Sequence, residues 1–255
     1  MLEGLRIVSA FGDRRVVGPV AHRRSFGVPP GGPFDRLSAA LVYALLGLPE
    51  GSPVLEIALG PVFLEATERV TVGVVGGPDG AFELEQGQRL EVRPIGARAY
   101  IGGAGSSGSR LLASPPCLTT EPLRVVRGPQ ADDLDFDRFV SQTYRVGLAS
   151  NRVGVRLEGD PMSHGLSLPS EPAIPGAIQL PPNGQPIILG PDGPTIGGYP
   201  KVAVVIDADL DEVGRFRPGD TVRFREVGLD EARLAKTHAE AYRAFRCAEL
   251  RLRHG

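Results

Sequence analysis

Apolar and polar residues alternate with a period of two along most of this chain, a pattern typical of half-buried β-strands. It predicts individual strands at residues 69–75, 201–207 and 221–227. It also predicts two hairpins, the first around a Gln-Gly-Gln turn and the second around an Ala-Ser-Asn-Arg turn. Their paired segments are residues 82–85 with 90–93, and residues 144–148 with 153–157.

Three segments show helical signals instead. Asp35 can cap a helix with apolar residues at helical spacing, and Gly47 is placed to end it. Residues 132–143 predict a second helix, and residues 230–253 predict a long C-terminal one. The apolar stripe of the last helix packs on the body or on a partner, and we favour packing within the chain. The stripe consists of Leu234, Ala241, Phe245, Ala248 and Leu252.

Composition narrows the fold class. The 34 glycines and 24 prolines among 255 residues break helix interiors and argue against a helix bundle. A hydrophobic content of 42% is too high for a disordered chain. We therefore predict a mostly β protein with a few helices.

The net charge, the cysteines and the hydropathy of the chain indicate which partners and which cellular compartment to expect. The formal net charge of −2 gives no long-range field for a phosphate backbone, so we expect no nucleic-acid partner. Cys117 and Cys247 are isolated in sequence, which fits a reducing compartment. No apolar run has the length of a signal peptide or a membrane span. These features predict a cytoplasmic protein without a membrane partner.

An internal correspondence predicts a duplication. Residues 69–72 (Arg-Val-Thr-Val) match residues 201–204 (Lys-Val-Ala-Val), and the same offset relates Gly87 to Gly219. A constant offset across separate strands indicates a repeated unit, although valine-rich strands can also match by chance. We predict two similar β subdomains, the second carrying the C-terminal helix. Their ranges are residues 1–122 and 123–255.

Common catalytic and cofactor motifs are missing or incomplete. Residues 103–108 spell Gly-x-Gly-x-x-Gly, but Pro115 and Pro116 follow too soon for the helix of a dinucleotide site, so we favour a flexible loop. The sequence has no P-loop, no His-Glu-x-x-His and no Gly-x-Ser-x-Gly motif. Its four histidines are isolated, and we predict no metal site.

Two polar clusters remain as candidate sites. In the first, at a hairpin tip, Asn151 suits either a turn or a binding role, and the guanidinium of Arg152 suits carboxylate recognition. The second combines amides, a hydroxyl, a phenol and an ammonium on stiff loops, and can hold a small polar substrate without a metal. Turn formation does not readily explain Gln179, Tyr199 and Lys201. The candidates of this second cluster are Gln179, Asn183, Gln185, Thr195, Gly197, Gly198, Tyr199 and Lys201.

Two carboxylates in the first half are ambiguous. Asp35 is better explained as a helix cap than as a catalyst. Glu56 lies inside a strand pattern; if its side chain points inward it must be paired, and it is then a site candidate.

Several long segments resemble the carboxyltransferase subdomain family. This family includes the C subunit of bacterial ATP-dependent 5-oxoprolinase, the KipA-type antagonist of a kinase inhibitor, and the allophanate hydrolase subunit 2 region of urea amidolyase. The segments occur in the order of the family. They are GVPPGGPFD from Gly27, LEIALGP from Leu55, GPQADD from Gly128, SNRVGVRLEG from Ser150, GAIQLPPNGQPIIL from Gly176, TIGGYPKVAVVI from Thr195 and RPGDTVRF from Arg217.

The resemblance implies two cyclophilin-like β-barrel subdomains and a KipI-like B-type subunit as partner. It implies an ATP-dependent complex that opens the lactam of 5-oxoproline to glutamate, with no cofactor bound directly by this chain and ATP used through the complex. In that setting Arg152 holds the substrate carboxylate, Gln179, Asn183 and Tyr199 orient the amide, and Lys201 stabilises developing negative charge.

Two alternatives stay open: a biotin-dependent, urea-type carboxyltransferase module, and a non-enzymatic KipA-type regulator. The chain also departs from the family pattern. A Thr-Val-Gln-Asp-x-Gly-Arg stretch is not evident in residues 11–26, the segment 102–114 is short, and Gly193-Pro194 replaces Arg-Gln before Thr195. We interpret the trimmed first half as the mark of a divergent member with a changed partner or substrate, or of one that has lost activity.

Overall fold

The structure is a computed structural model that describes residues 2–105 and 121–252. Residues 106–120 lie outside the described residues. They include the end of the Gly-x-Gly-x-x-Gly motif and Cys117, and they end just before the boundary predicted at residue 122. The helices are α1 Arg36–Leu46, α2 Phe136–Ser141, α3 Leu210–Arg215 and α4 Leu229–Leu252. Short 3-10 turns lie at Arg24–Phe26, Ala131–Asp133 and Asp207–Asp209.

Strands make up most of the remaining regular structure. The first eight are β1 Leu5–Ala10, β2 Asp13–Val17, β3 Val54–Ala58, β4 Val62–Ala66, β5 Val70–Val75, β6 Gly80–Leu84, β7 Arg89–Val92 and β8 Arg98–Ala104. The others are β9 Leu123–Arg127, β10 Tyr144–Val146, β11 Gly154–Glu158, β12 Glu171–Pro172, β13 Ala177–Gln179, β14 Ile187–Leu189, β15 Ile196–Gly197, β16 Lys201–Val205, β17 Thr221–Val222 and β18 Phe224–Glu226.

The chain divides into two compact units that are discontinuous in sequence. Among the described residues, unit 1 comprises 2–20, 35–105 and 241–252, and unit 2 comprises 21–34 and 121–240. The sequence predicts a single boundary between residues 122 and 123, and the two units depart from that division in two places. Residues 21–34 belong to unit 2, and the last part of α4 belongs to unit 1.

Unit 1 contains a three-stranded sheet, in the order β1-β4-β7, and a five-stranded sheet, in the order β2-β3-β8-β5-β6. Helix α1 packs on the five-stranded sheet, and a Cβ added at Gly73 or Gly102 would lie within 3 Å of Leu46 side-chain atoms. Glycine at these strand positions therefore lets the helix lie close to the sheet. As predicted, α1 begins at Asp35, whose Oδ1 accepts the Ser38 N–H at 3.0 Å, and ends at Gly47 with φ of 64°.

Unit 2 is built on an eight-stranded sheet in the order β17-β10-β11-β14-β13-β16-β9-β18. Only Arg223 separates β17 from β18, yet these strands lie at opposite ends of that order. The sheet therefore curls into a nearly closed barrel, and the strand predicted at 221–227 is divided between its two ends. A cluster of aromatic rings fills the interior, with Phe139 stacked on Phe224 at 4.7 Å between centroids.

The predicted fold class is confirmed: the chain is mostly β, with a nearly closed barrel-like sheet in unit 2 and a few helices, including the C-terminal one. The hairpin predicted at 144–157 forms as the antiparallel pair β10–β11. The hairpin predicted at 82–93 is wrong, because β6 pairs with β5 and β7 pairs with β4 in the other sheet. Gly87 donates its N–H to Ala66 O at 2.8 Å, so the intervening turn belongs to a crossing between sheets.

Helix α4 forms as predicted but packs through a different face. The predicted stripe is exposed, with Leu234, Phe245 and Leu252 at 57%, 65% and 82% relative exposure. Its buried residues are Ala235 in unit 2 and Leu250 in unit 1. The preference for packing the stripe within the chain is therefore wrong. Within the described part of the chain, no helix is both long and apolar enough to cross a membrane.

Candidate functional site

Lys201 is the centre of a buried polar cluster in unit 2. It opens strand β16, its side chain is 7% exposed, and its Nζ lies 2.7 Å from Glu171 Oε2. The neighbouring strand β13 places Gln179 opposite Lys201 in the antiparallel register. Two of the predicted site residues are thus brought together by strand pairing.

The carboxamide of Gln179 has an unsatisfied donor. Gln179 is 4% exposed, and among the described residues its buried Nε2 has no hydrogen-bond partner. A Cβ added at Gly197 would lie 3.0 Å from this nitrogen, so glycine there keeps the space beside the donor open. Because an unmade buried hydrogen bond costs about 1–3 kcal/mol, the group is suited to meet an acceptor on a ligand.

Glu171 and Gln130 complete the cluster and were missed as site candidates. Glu171 lies on β12, which pairs with β15 so that Glu171 faces Gly197. Gln130 donates from Nε2 to Glu171 Oε2 at 3.2 Å and accepts the Lys201 N–H on Oε1 at 2.9 Å. In sequence, Glu171 sits in a loop-like stretch without a motif, and Gln130 lies within the GPQADD segment that carried the resemblance.

Three other residues of the second predicted cluster lie around the same loops. Tyr199 is 45% exposed, whereas Thr195 is buried and its carbonyl accepts the Ala173 N–H at 2.9 Å. A Cβ at Gly198 would lie 3.2 Å from Leu168 O. Thr195, Gly198 and Tyr199 thus form the segment that leads into Lys201. Their roles toward a substrate stay predictions.

Arg152 already holds a carboxylate of its own chain. Its Nε and Nη2 donate to the two carboxylate oxygens of Asp192 at 2.9 and 3.0 Å, and Nη2 also donates to Gly32 O at 2.7 Å. A bidentate Arg–carboxylate pair fixes both groups in one geometry. The Arg152 guanidinium, which the sequence analysis assigned to a substrate carboxylate, thus joins two loops of unit 2. Its role toward a substrate stays a prediction.

The remaining predicted amides bond to backbone groups of unit 2. Asn151 Oδ1 accepts the Val153 N–H at 2.8 Å, and Asn183 Oδ1 accepts the Gln185 N–H at 3.2 Å. The Gln185 carboxamide pairs with the backbone of Gly159, with both contacts at 2.9 Å. These contacts explain Asn151 and Asn183 as turn builders, and Gln185 as a link between its loop and the backbone after β11. Binding roles for them stay predictions.

Unit 1 holds a separate buried network around Glu56. Its carboxylate accepts from Tyr100 OH at 2.7 Å and from Arg98 Nε at 3.2 Å. Asp35 donates its backbone N–H to the Tyr100 oxygen at 2.7 Å. Burial raises the pKa of the Tyr100 phenol well above its ordinary value, and the carboxylates of Glu56 and Asp35 add to the increase. Glu56 therefore points inward and is paired, the condition set from the sequence for a site candidate.

The Lys201–Glu171 pair predicts a pH-dependent stability. Hydrogen bonding to Lys201 lowers the pKa of Glu171 below its ordinary 4.5, with burial opposing and Gln130 assisting. Because the folded-state pKa is the lower one, the pair stabilises the fold above pH 4.5 and loses this effect as pH falls through the lowered value. We expect Glu171→Gln to be less stable than wild type near neutral pH and the two to converge in acid. Urea titrations across this range measure the difference; one that is constant with pH contradicts it.

Comparison with known proteins shows the family of this chain and several similar sequences. The chain belongs to the carboxyltransferase domain family, subdomains A and B, which matches residues 26–106 and 76–226. It is 30% identical to the 5-oxoprolinase C subunit of Haemophilus influenzae, over 86% of this chain and 89% of that protein. It is 31% identical to the 5-oxoprolinase C subunit of Escherichia coli, over 73% of this chain and 58% of that protein.

Solved structures show the same architecture. TTHA0988 aligns with a TM-score of 0.78 at 28% identity, covering 88% of this chain and 56% of that chain. The urea carboxylase of Kluyveromyces lactis aligns with a TM-score of 0.80 over 96% of this chain and 29% of its own; at 24% identity this is a likeness of fold. The chain thus spans most of one relative and just over half of the E. coli protein and of TTHA0988.

Proposed function

We propose that this chain is a subunit of a 5-oxoprolinase-like complex that hydrolyses 5-oxoproline to glutamate with ATP. The observation that carries this proposal is the similarity to the H. influenzae 5-oxoprolinase C subunit over 89% of that protein's length. In the reaction the lactam C–N bond is broken and water supplies the hydroxyl of the new carboxyl group and a proton to the amine. The proposal assigns ATP chemistry to partner subunits, including a KipI-like B-type subunit.

The cluster around Lys201 supplies groups suited to this chemistry. The free Nε2 of Gln179 is a donor for the lactam carbonyl oxygen, and the Lys201 ammonium is a buried cation for the negative charge that develops there. Tyr199, two residues before Lys201 and 45% exposed, is proposed to orient the ring nitrogen. The proposal does not use Arg152, whose fork holds Asp192.

Reconstitution tests the function. Purified chain is combined with the B-type and further subunits of the proposed complex, and glutamate formation from 5-oxoproline is followed with and without ATP. We expect glutamate only with ATP, substrate and the complete set of subunits. A complete complex that forms no glutamate contradicts the proposal, and tight partner binding without turnover of any substrate then favours the KipA-type regulator.

A urea-type carboxyltransferase is the second candidate. It is favoured by 27% identity to the urea amidolyase of Saccharomyces cerevisiae, over 82% of this chain and 16% of that protein. This alternative requires a carboxylated biotin carrier as a partner. Transfer of labelled carboxylate from such a carrier to urea, with no glutamate formed from 5-oxoproline, favours it over the first proposal.

Gly197→Ala tests the open space beside Gln179. The new Cβ would lie 3.0 Å from Gln179 Nε2, so the carboxamide must shift. We expect kcat/KM to fall about tenfold because donor placement matters at the ångström level, while the urea denaturation midpoint changes little. Gly228→Ala is the matched control, since a Cβ there meets no atom of the described residues within 4 Å. Equal activities of the two variants would contradict the role of this space.

A further inference from the structure

The Lys201 side chain is held by a carboxylate that is itself held by a second residue. Glu171 Oε2 accepts both from Lys201 Nζ at 2.7 Å and from Gln130 Nε2 at 3.2 Å. One carboxylate oxygen thus joins a buried ammonium to a buried carboxamide, since Lys201 is 5% and Gln130 7% exposed. The geometry fixes where the ammonium lies.

Gln130 also fixes the backbone of Lys201. Its Oε1 accepts the Lys201 N–H at 2.9 Å, and its own N–H donates to Lys201 O at 3.3 Å. The preceding loop is equally close, because a Cβ added at Gly128 would lie 2.1 Å from Lys201 O. Gln130 therefore contacts Lys201 on its main chain and, through Glu171, at the end of its side chain.

Glu171 is in turn placed by the loop that carries the other site residues. Its strand β12 pairs with β15, which holds Gly197, and Ala173 donates to Thr195 O at 2.9 Å. The carboxylate and the segment from Thr195 to Lys201 are thus parts of one hydrogen-bonded arrangement. A movement of this segment changes the Lys201–Glu171 pair.

We propose that Glu171 and Gln130 are positioning residues that fix the place of the Lys201 ammonium. The ammonium donates to Glu171 Oε2, and Gln130 holds both that oxygen and the Lys201 main chain. Lys201 therefore acts as a fixed electrostatic donor. This role of Lys201 in turnover rests on the proposed function, whereas its placement can be tested in the isolated chain.

The lysine content makes a direct test simple. Lys201 and Lys236 are the only two lysines of the chain, and Lys236 is 53% exposed in its side chain. Brief acetylation with acetic anhydride, followed by mass spectrometry of the two peptides, gives the Lys201/Lys236 rate ratio. We expect Glu171→Gln to raise this ratio, and Gln130→Met to raise it by a smaller factor, because each removes a contact that keeps the Lys201 amine bound inside the cluster and away from the reagent.

Glu240→Gln is the matched control. Glu240 lies 3.9 Å from Lys236 in an exposed pair on α4, so its loss should change the Lys236 rate less than about twofold. If Glu171→Gln leaves the ratio unchanged in a protein with the wild-type circular dichroism spectrum, the proposal is wrong. If Gln130→Met fails to fold, the Glu171→Gln result decides alone, since Glu171 is on the partly exposed strand β12.

Kinetics in the reconstituted complex separate this proposal from the proposed function. With activity present, we expect Glu171→Gln to lower kcat about tenfold with KM nearly unchanged, because charge placement acts on the transition state. A raised KM with unchanged kcat contradicts the positioning role. A complex without any activity contradicts the proposed function, and the acetylation ratio still decides on the positioning of Lys201.

Discussion

Lys201→Ala is expected to lower kcat for glutamate formation by about 10²–10³-fold, the effect of removing one preorganised donor to a developing negative charge. The Lys201 side chain is 7% exposed, and Gln179, opposite it in the strand register, has no partner for its Nε2 among the described residues. Binding of partner subunits should be unaffected, because a 7% exposed side chain offers little surface to them. Steady-state kinetics of the reconstituted complex give kcat, and co-purification shows whether the partner subunits still bind.

Lys236→Ala is the control for this experiment. It removes the only other lysine, from the exposed surface of α4. Its kcat should equal that of the wild type within about twofold. A Lys201→Ala complex of normal composition with an unchanged kcat would exclude Lys201 from the catalytic site.

Glu56→Ala is expected to destabilise unit 1 by about 3–5 kcal/mol, since it leaves the Arg98 guanidinium buried without this carboxylate. The side chains of Glu56 and Arg98 are only 3% and 9% exposed, so water cannot readily take the place of the lost oxygens. Tyr100 loses its acceptor in the same substitution. Urea denaturation followed by circular dichroism measures the change in the free energy of unfolding.

Glu65→Ala provides the comparison on the surface of the same unit. Glu65 pairs with Arg6 and Arg89, whose side chains are 62% and 68% exposed. Solvated pairs of this kind contribute about 0–1 kcal/mol. If Glu56→Ala costs no more than Glu65→Ala, the buried network does not stabilise unit 1 as described.

Local signals predicted the elements that rest on local chemistry. Asp35 and Gly47 define α1 because a cap and a left-handed glycine act within one turn of the helix. The β10–β11 hairpin was found because its strands pair with each other across a short turn. The pairing of β6 and β7 was missed because period-two alternation identifies a strand but not the sheet that it joins.

The candidate site was predictable only in part, because local patterns identify its polar residues but not their distant partners. Gln179 and Lys201 stood out in sequence as polar residues that turn formation does not explain, and strand register brings them together. Glu171 and Gln130 are distant from Lys201 along the chain, and no spacing relates them to it. Arg152 was identified as a carboxylate-binding group, but only the structure shows that Asp192 is the carboxylate.

The sequence by itself determined a turn-rich, mostly β protein with a long C-terminal helix and the family motifs around Gln179 and Lys201. Those features follow from residue type and periodicity, which act over a few neighbours. Only the tertiary structure decided the closure of the unit 2 sheet, the exposed stripe of α4 and the Gln130–Glu171–Lys201 contacts. Such features depend on which distant segments pair, because burial and hydrogen-bond partners are properties of the folded chain and not of its local sequence.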